Sequence, residues 1–228
     1  MTRVAAILWV LGFCTIWGGC SRSHTLVNIS HTPVQLNPGD YNRLLKRWTR
    51  DYRIVQQFDT TLDVHATLLS WEFRWAYTVA VSRWFRLTET DKKRLWASQQ
   101  QELASTVDFI VSTASTENSW NDLEKGTPDL PGPGQVLKRS LWRVTLEVDG
   151  SEPVTPLEIK ALEPISKLHK DMFPYIGYFH RLFVIRFPRT VGGKEVLPET
   201  ARIIRLRFAG SLGNARLVWQ TTNLVVNQ

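Results

Sequence analysis

The chain has 228 residues and a formal net charge of +7, and it is 43% hydrophobic and 21% charged. This composition is typical of a globular protein and excludes a chain that is disordered throughout or built from solenoid repeats. The length suits one domain with an elaboration, and the moderate positive charge favours anionic partners without identifying one.

The first twenty residues have the pattern of an export signal. Arg3 is the only charged residue among them, and residues 4–17 are almost wholly apolar, which matches the n-region and h-region of a secretory signal. The segment closes with Gly18, Gly19 and Cys20, and this ending resembles the lipobox of bacterial lipoproteins. The resemblance implies a signal peptide at 1–19 and a lipidated, palmitate-bearing Cys20 as the first residue of the mature chain.

Two other interpretations of this segment stay open, an uncleaved membrane anchor and an ordinary secretory signal. Trp17 stands where bacterial lipoproteins usually carry leucine. However, the apolar run over residues 4–19 is shorter than the roughly 20 residues that a stable membrane span needs. We therefore favour the lipoprotein. Cys14 then leaves with the signal and Cys20 is acylated, so no disulfide is expected.

Residues 20–40 are predicted to be the lipidated cysteine and a flexible tether. They are polar, contain a turn signal at residues 37–40 and lack periodicity, which is typical of a linker. Ser21 directly follows Cys20, and this resembles Gram-negative lipoproteins that move to the outer membrane. We expect a lipid-anchored protein that faces the periplasm, on the outer membrane rather than the inner one, with no nucleic acid among its partners.

The first half of the expected single domain, residues 41–228, predicts a strand and two helices. Alternating apolar and polar residues over 51–70 predict one half-buried strand. Ser70 is a suitable cap for a helix over 71–86, whose predicted solvent-facing stripe comprises Arg74, Thr78, Ser82 and Arg86. Thr88 and Asp91 resemble a capping box that opens a helix over 89–104. The short connector predicts an antiparallel helical hairpin at about 71–104.

The rest of the domain is predicted to be mostly strands. They cover residues 107–112, 141–148, 157–161, 182–187, 203–208 and 215–221, with a short helix over 164–172. Short strands separated by turn signals are typical of a sandwich. The expected fold is α+β, an immunoglobulin-like antiparallel β-sandwich with an inserted α-helical hairpin, although the cysteine pair of true immunoglobulin domains is absent from the sequence.

Asp63 and His65 are the candidate metal ligands. They lie two residues apart on the predicted strand and so share one face with Asp59. A carboxylate and an imidazole placed in this way can begin a metal site, but the sequence shows no spaced histidine or cysteine cluster that supplies further ligands. The alternative is a solvated or hydrogen-bonded sheet face, which we favour, and we expect no metal or other cofactor.

Arg143, Arg186, Arg205 and Arg207 are the candidate binding residues. The alternation of their strands places Trp142, Val144, Phe183, Ile185, Phe187, Ile204, Leu206 and Phe208 inward and the four arginines outward. If these strands share a sheet, the arginines form one patch suited to phosphate or carboxylate groups. The alternative is a solvated face on which the arginines pair with Glu147 and Glu158 across strands.

Three functions remain open at this point. Trp71, Trp75 and Trp84 of the first hairpin helix either cover the sheet or form an exposed anchor for a partner. The leading hypothesis is a non-enzymatic lipoprotein that has a structural or assembly role and holds an envelope protein partner at the membrane. The second is a lipoprotein that binds an anionic lipid or glycan, and the third is an envelope hydrolase, although no nucleophile, zinc or phosphate-loop motif is present.

Overall fold

The structure is a computed structural model that describes residues 25–29, 37, 39–126 and 140–222. Within these residues the helices are α1 (Asp40–Trp48), α2 (Trp71–Trp84), α3 (Glu89–Ser105) and α4 (Lys167–Met172), with 3₁₀ turns at Asn118–Trp120 and Leu123–Lys125. The strands are β1 (Thr49–Gln56), β2 (Asp59–Leu68), β3 (Thr106–Ala114), β4 (Trp142–Val148), β5 (Glu158–Ala161), β6 (Arg181–Pro188), β7 (Thr190–Val191), β8 (Lys194–Glu195), β9 (Ile203–Gly210) and β10 (Gly213–Gln220). The signal peptide at 1–19 and Cys20 lie outside the described residues.

The strands form two larger sheets and one small hairpin. One sheet has five strands in the order β1-β2-β3-β6-β5, the other has three in the order β10-β9-β4, and β7 pairs with β8. The neighbours in all three sheets are antiparallel. This mixture of helices and antiparallel sheets confirms the α+β class and is compatible with a sandwich.

One face of each larger sheet is buried against the other. Phe109 of β3 contacts Trp219 of β10 with ring centroids 5.4 Å apart, and Trp219 Nε1 donates a hydrogen bond of 2.8 Å to the carbonyl of Trp48. The residues predicted to face inward are all buried, namely Trp142, Val144, Phe183, Ile185, Phe187, Ile204, Leu206 and Phe208. Full burial of one large apolar side chain contributes about 1.5–3 kcal/mol, so this interior is the main source of the domain's stability.

The second face of the five-stranded sheet is covered by helices. Tyr41 of α1 packs on Phe73 of α2 with centroids 5.9 Å apart, and its hydroxyl donates to the carbonyl of Met172 in α4 at 2.9 Å. Beneath this layer, Asp63 and Thr67 of β2 are buried. The prediction of a half-buried strand is therefore wrong for β2, because period-two alternation does not reveal a covering layer that comes from elsewhere in the chain.

The predicted strand over 51–70 is in fact two strands. β1 and β2 form a hairpin around Gln57, which has a φ of 56°, and Phe58, which is fully exposed. A positive φ favours glycine or asparagine, so the residues at this turn give no signal of it. Alternation continues through the two-residue turn, which is why the sequence indicates one element.

Both helix caps of the hairpin are confirmed. Ser70 Oγ accepts from the Phe73 amide at 3.1 Å, and Thr88 Oγ1 accepts from the Asp91 amide at 3.2 Å. The predicted solvent-facing stripe of α2 is wrong for three of its four members, since Arg74, Thr78 and Ser82 are buried. The two hydroxyl groups donate to carbonyls four residues earlier, and in this way a helix can bury them at little cost.

Part of the predicted tether packs on the domain. In residues 25–29, which we call the N-terminal segment, the Val27 amide donates to the Gln220 carbonyl and the Val27 carbonyl accepts from the Thr222 amide, both at 2.9 Å. Val27 and Ile29 are buried. The prediction of a free tether over 20–40 is therefore wrong for this segment, and helix α1, which begins at Asp40, was not predicted. None of the helices in the described part of the chain has the length and apolar character of a membrane span.

Candidate functional site

Asp63 and His65 lie on the helix-covered face of β2 and contact each other. His65 Nε2 is 3.5 Å from Asp63 Oδ1. The same carboxylate is bound by the guanidinium of Arg53, whose Nε lies 3.0 Å from Oδ2. Asp63 is thus already neutralised by an arginine, which is unfavourable for a cation site. Within the described residues, no group of three or more His, Cys, Asp or Glu side chains is arranged to hold a metal ion.

His65 instead belongs to a network that braces residues 173–180, which we call the aromatic loop. The His65 ring stacks on Tyr175 with centroids 5.3 Å apart and an interplanar angle of 11°. The Tyr175 hydroxyl is hydrogen-bonded to Thr67 Oγ1 at 2.8 Å, and burial raises the Tyr175 pKa above its ordinary value. The first half of the loop is therefore held to β2 by both a ring stack and a hydrogen bond.

The end of the aromatic loop is held to β3. Ser112 Oγ lies 2.8 Å from His180 Nδ1, and burial lowers the pKa of His180, with Asp63 opposing the shift. Gly177 fits closely beneath this ring, because a Cβ there would lie 2.9 Å from the His180 ring. Ser112 is fully buried, so its hydroxyl positions the loop instead of meeting a substrate.

Two aromatic side chains project from the braced loop into solvent. Tyr178 and Phe179 are 89% and 82% exposed, and their rings meet edge to face with centroids 5.2 Å apart. A pair of exposed rings on a loop that is fixed at both ends has little conformational entropy to lose on binding. Sequence reasoning missed this pair, although a loop with four Phe or Tyr residues around Gly177 was a usable signal.

The four predicted binding arginines do not form one patch. Arg143, Arg205 and Arg207 lie on the outer face of the three-stranded sheet. Arg186 lies in β6 of the other sheet, where it is opposite Asp108 and forms an ion pair of 2.5 Å with Glu158. The patch prediction is wrong for Arg186, because β6 and β9 have the same alternation but lie in different sheets.

A different arginine, Arg216, completes the outer face of the three-stranded sheet. It lies directly opposite Arg207 across β9 and β10. Glu147 forms ion pairs with Arg205 at 2.7 Å and with Arg207 at 2.5 Å, as the alternative interpretation of this face predicted. Arg207 Nε is buried and has no hydrogen-bond partner among the described residues. This face therefore carries one glutamate and four arginines, one of which is the exposed Arg143.

A groove of about 820 Å³ begins at the edge of this arginine face, between α1, β1 and β10. Lys46, Arg50, Arg216 and Asp51 contribute its charged side chains. Arg50 donates hydrogen bonds of 2.7–2.9 Å to the carbonyls of Thr25, Arg47, Thr49 and Val218, so it joins the N-terminal segment to both sheets. Cations exceed anions here, as they do on the neighbouring face.

Two of the three hairpin tryptophans are largely covered, which argues against the exposed-anchor alternative for them. Trp71 and Trp75 both pack edge to face on Trp96 of α3, with centroids 5.2 Å and 5.0 Å apart. Trp84 is 50% exposed, and its ring contacts Tyr41 with centroids 6.3 Å apart. The neighbouring Phe85 is also exposed. The α2–α3 connection therefore presents two aromatic side chains.

Comparison with protein families, with curated proteins and with solved structures finds no match for this chain.

Proposed function

We propose that this chain is a lipid-anchored envelope protein that binds a protein partner through Tyr178 and Phe179 and performs no chemistry itself. The exposed aromatic pair is the observation that carries the proposal. Interface hot spots are enriched in aromatic residues that enter a pocket on the partner. Tyr178 and Phe179 are almost fully exposed while the loop around them is braced by Thr67, Ser112 and His65. A partner with an apolar pocket would therefore bind two rings, those of Tyr178 and Phe179, whose position is already fixed by the loop.

The proposal places the protein at the periplasmic side of the outer membrane, held to the bilayer by an acylated Cys20. This location is supported by the apolar run at 4–17, by the Gly18-Gly19-Cys20 ending and by Ser21. Globomycin treatment or a Cys20→Ala change is expected to leave a slower-migrating precursor that keeps residues 1–19 and no longer fractionates with the outer membrane. If mobility and membrane association stay unchanged, the anchor is wrong.

The fold proposed for this role is immunoglobulin-like, with the α2–α3 hairpin inserted between the first two core strands. The strand order supports it. Immunoglobulin constant-type sheets have the orders A-B-E-D and G-F-C. Here β2-β3-β6-β5 and β10-β9-β4 follow those two orders if β2 is strand A and β4 is strand C. β1 then adds an outer strand to the first sheet.

The aromatic pair can be tested directly in native membranes. A photo-crosslinking residue at position 179 is expected to give a discrete adduct. The same residue at position 58, where Phe58 is fully exposed on another turn, is the matched control and should not give that adduct. The double change Tyr178→Ser with Phe179→Ser should abolish co-purification of the crosslinked protein, and Phe58→Ser should not. Equal recovery with the double variant, or identical adducts from both positions, would contradict the proposal.

The arginine face supports a second candidate function, binding of an anionic lipid or glycan. Like charges directly opposite each other destabilise a sheet, and Arg207 and Arg216 are such a pair. A phosphate or carboxylate would relieve their repulsion through paired hydrogen bonds. Arg143→Glu with Arg216→Glu should then abolish binding to vesicles that contain phosphatidylglycerol, whereas Arg94→Glu on α3 should not. Unchanged vesicle binding by the double variant removes this candidate.

A further inference from the structure

A cavity of about 200 Å³ lies on the helix-covered side of the five-stranded sheet, between α2, α3, α4 and the strands β3 and β6. Phe73, Ile110, Leu168 and Val184 contribute apolar walls. Glu102, whose side chain is 42% exposed, lines the same cavity and connects it to the surface. The cavity meets the aromatic loop at Phe173, but it is separate from Tyr178, Phe179 and the arginine face.

A buried carboxylate with one unused oxygen lines this cavity. Asp108 is 2% exposed, and its Oδ2 is bound by the guanidinium of Arg74. Oδ1 is also buried and has no partner within hydrogen-bond distance among the described residues. Burial raises the pKa of the Asp108 carboxyl group, and the nearby Thr106 hydroxyl, which donates to the Glu102 carbonyl at 3.2 Å, opposes that rise. Buried polar atoms are nearly always hydrogen-bonded in folded proteins, because leaving one unpaired forfeits its hydration. Oδ1 is therefore an acceptor that a bound donor would satisfy.

Both guanidinium groups that line the cavity are already paired with carboxylates. Arg74 and Arg186 line it, but Arg74 is bound by Asp108 and Glu102, and Arg186 is bound by Glu158. The lining therefore carries two carboxylates, Asp108 and Glu102, and two guanidinium groups, and neither guanidinium serves Asp108 Oδ1. The remaining titratable groups facing the cavity are Tyr77 and His169.

His169 contributes no positive charge to the cavity at neutral pH. Its Nδ1 accepts a hydrogen bond from the Ser166 amide at 3.3 Å, and burial lowers its pKa. Both facts favour the neutral imidazole, since a protonated ring has no acceptor nitrogen. His169 therefore does not alter the balance of charge in the cavity lining.

We propose that this cavity binds a small primary ammonium compound with a compact apolar body, whose ammonium group donates to Asp108 Oδ1. A dry apolar cavity of about 150 Å³ is enough for benzene. A single ring with a short ammonium arm therefore fits the space here. The ring would lie against Phe73, Ile110 and Val184 while the ammonium replaces the missing donor. This site does not depend on the partner-binding function proposed above.

Three probes of one shape test the charge requirement on the full chain purified in detergent. Benzylamine is cationic at pH 7, benzyl alcohol is neutral and benzoate is anionic. Isothermal titration calorimetry is expected to give the tightest binding for benzylamine, about tenfold or more weaker binding for benzyl alcohol, and no binding of benzoate. No heat from benzylamine, or equal affinity for the amine and the alcohol, would overturn the proposal.

Two variants locate the binding. Asp108→Asn should weaken benzylamine binding by about tenfold or more while changing benzyl alcohol binding by less than about threefold. Asp122→Asn removes another buried carboxylate that does not line the cavity and should leave both affinities unchanged. Val184→Phe fills the cavity and should abolish both, which tests the location even if Asp108→Asn does not fold. Retained benzylamine affinity in a folded Asp108→Asn variant or in Val184→Phe refutes the site.

Discussion

Replacing Arg74 with methionine is expected to remove a large share of the domain's stability. The fully buried guanidinium donates to the Leu69 carbonyl at 3.1 Å, to Gln99 at 2.9 Å, to Glu102 at 2.7 Å and to Asp108. Methionine keeps much of the apolar stem but leaves the Asp108 carboxylate buried without its cation. Breaking a buried ion pair from one side costs about 3–5 kcal/mol, against a total of about 5–15 kcal/mol for a domain.

Urea unfolding followed by tryptophan fluorescence measures this loss. With an m-value of about 2 kcal/mol/M, the unfolding midpoint of Arg74→Met should fall by about 1.5–2.5 M. The loss should also depend on pH. Burial raises the pKa of Asp108 and Arg74 opposes that rise, so removing Arg74 raises the pKa further. A carboxyl group with a raised folded-state pKa destabilises the fold fully above that pKa, and the penalty disappears below its unfolded-state value. The deficit should therefore shrink between pH 7 and pH 4.

Two controls separate the buried charge from the general effect of losing an arginine. Arg94 is on α3 with a side chain that is 77% exposed, so Arg94→Met should change stability by no more than about 0.5 kcal/mol. The double variant Arg74→Met with Asp108→Leu removes both charges and should recover much of the loss. If Arg74→Met lowers the midpoint no more than Arg94→Met does, the buried pair does not have the role argued here.

Three further outcomes are expected. Burial lowers the pKa of His180, so its contribution to stability is present above about pH 6.5 and is lost as the pH falls toward its folded-state pKa. The urea unfolding midpoints at pH 7.5 and pH 5.5 should therefore differ less in His180→Asn than in wild type, and an equal difference would contradict this. Arg50→Met removes four hydrogen bonds to backbone carbonyls and should speed amide hydrogen exchange in the N-terminal segment, whereas Arg43→Met should not. Unchanged protection of these amides in Arg50→Met would show that the segment is held by other contacts. The Cβ added by Gly210→Ala would clash with the Leu141 carbonyl before β4 and should lower the free energy of unfolding by about 1–3 kcal/mol. The Cβ added by Gly39→Ala meets nothing within 4 Å and should be neutral, so equal thermal midpoints for the two variants would refute the clash.

The elements that the sequence predicts best are those with local signals. Ser70 and Thr88 cap the two hairpin helices as expected, because capping depends on a side chain and an amide three residues apart. The residues predicted to face inward on β4, β6 and β9 are confirmed as buried. A strand whose apolar residues occupy every second position can turn only that face toward a core.

The elements that the sequence misses depend on contacts between distant segments. Arg74 was expected in solvent. Its burial is energetically possible because Asp108, from a distant part of the chain, forms an ion pair with it. Arg186 was grouped with Arg205 because both alternate with apolar neighbours, but strand alternation does not say which sheet a strand joins. The aromatic loop has no period at all, and its order comes from Tyr175 and His180, which contact two different strands.

The helical layer changes what polar residues on the five-stranded sheet can do. On a solvated face, Asp63, Asp108 and Ser112 would be hydrated and would exchange partners freely. Under the helices each has to be paired, and each pairing fixes one element against the sheet: Asp108 fixes α2 through Arg74, and Ser112 fixes the aromatic loop through His180. Asp108 is satisfied on one oxygen only. The loop is fixed completely enough to present a rigid pair of rings, whereas the incomplete pairing of Asp108 leaves an acceptor in a cavity. The same covering layer therefore accounts both for the proposed partner anchor and for the proposed ammonium site.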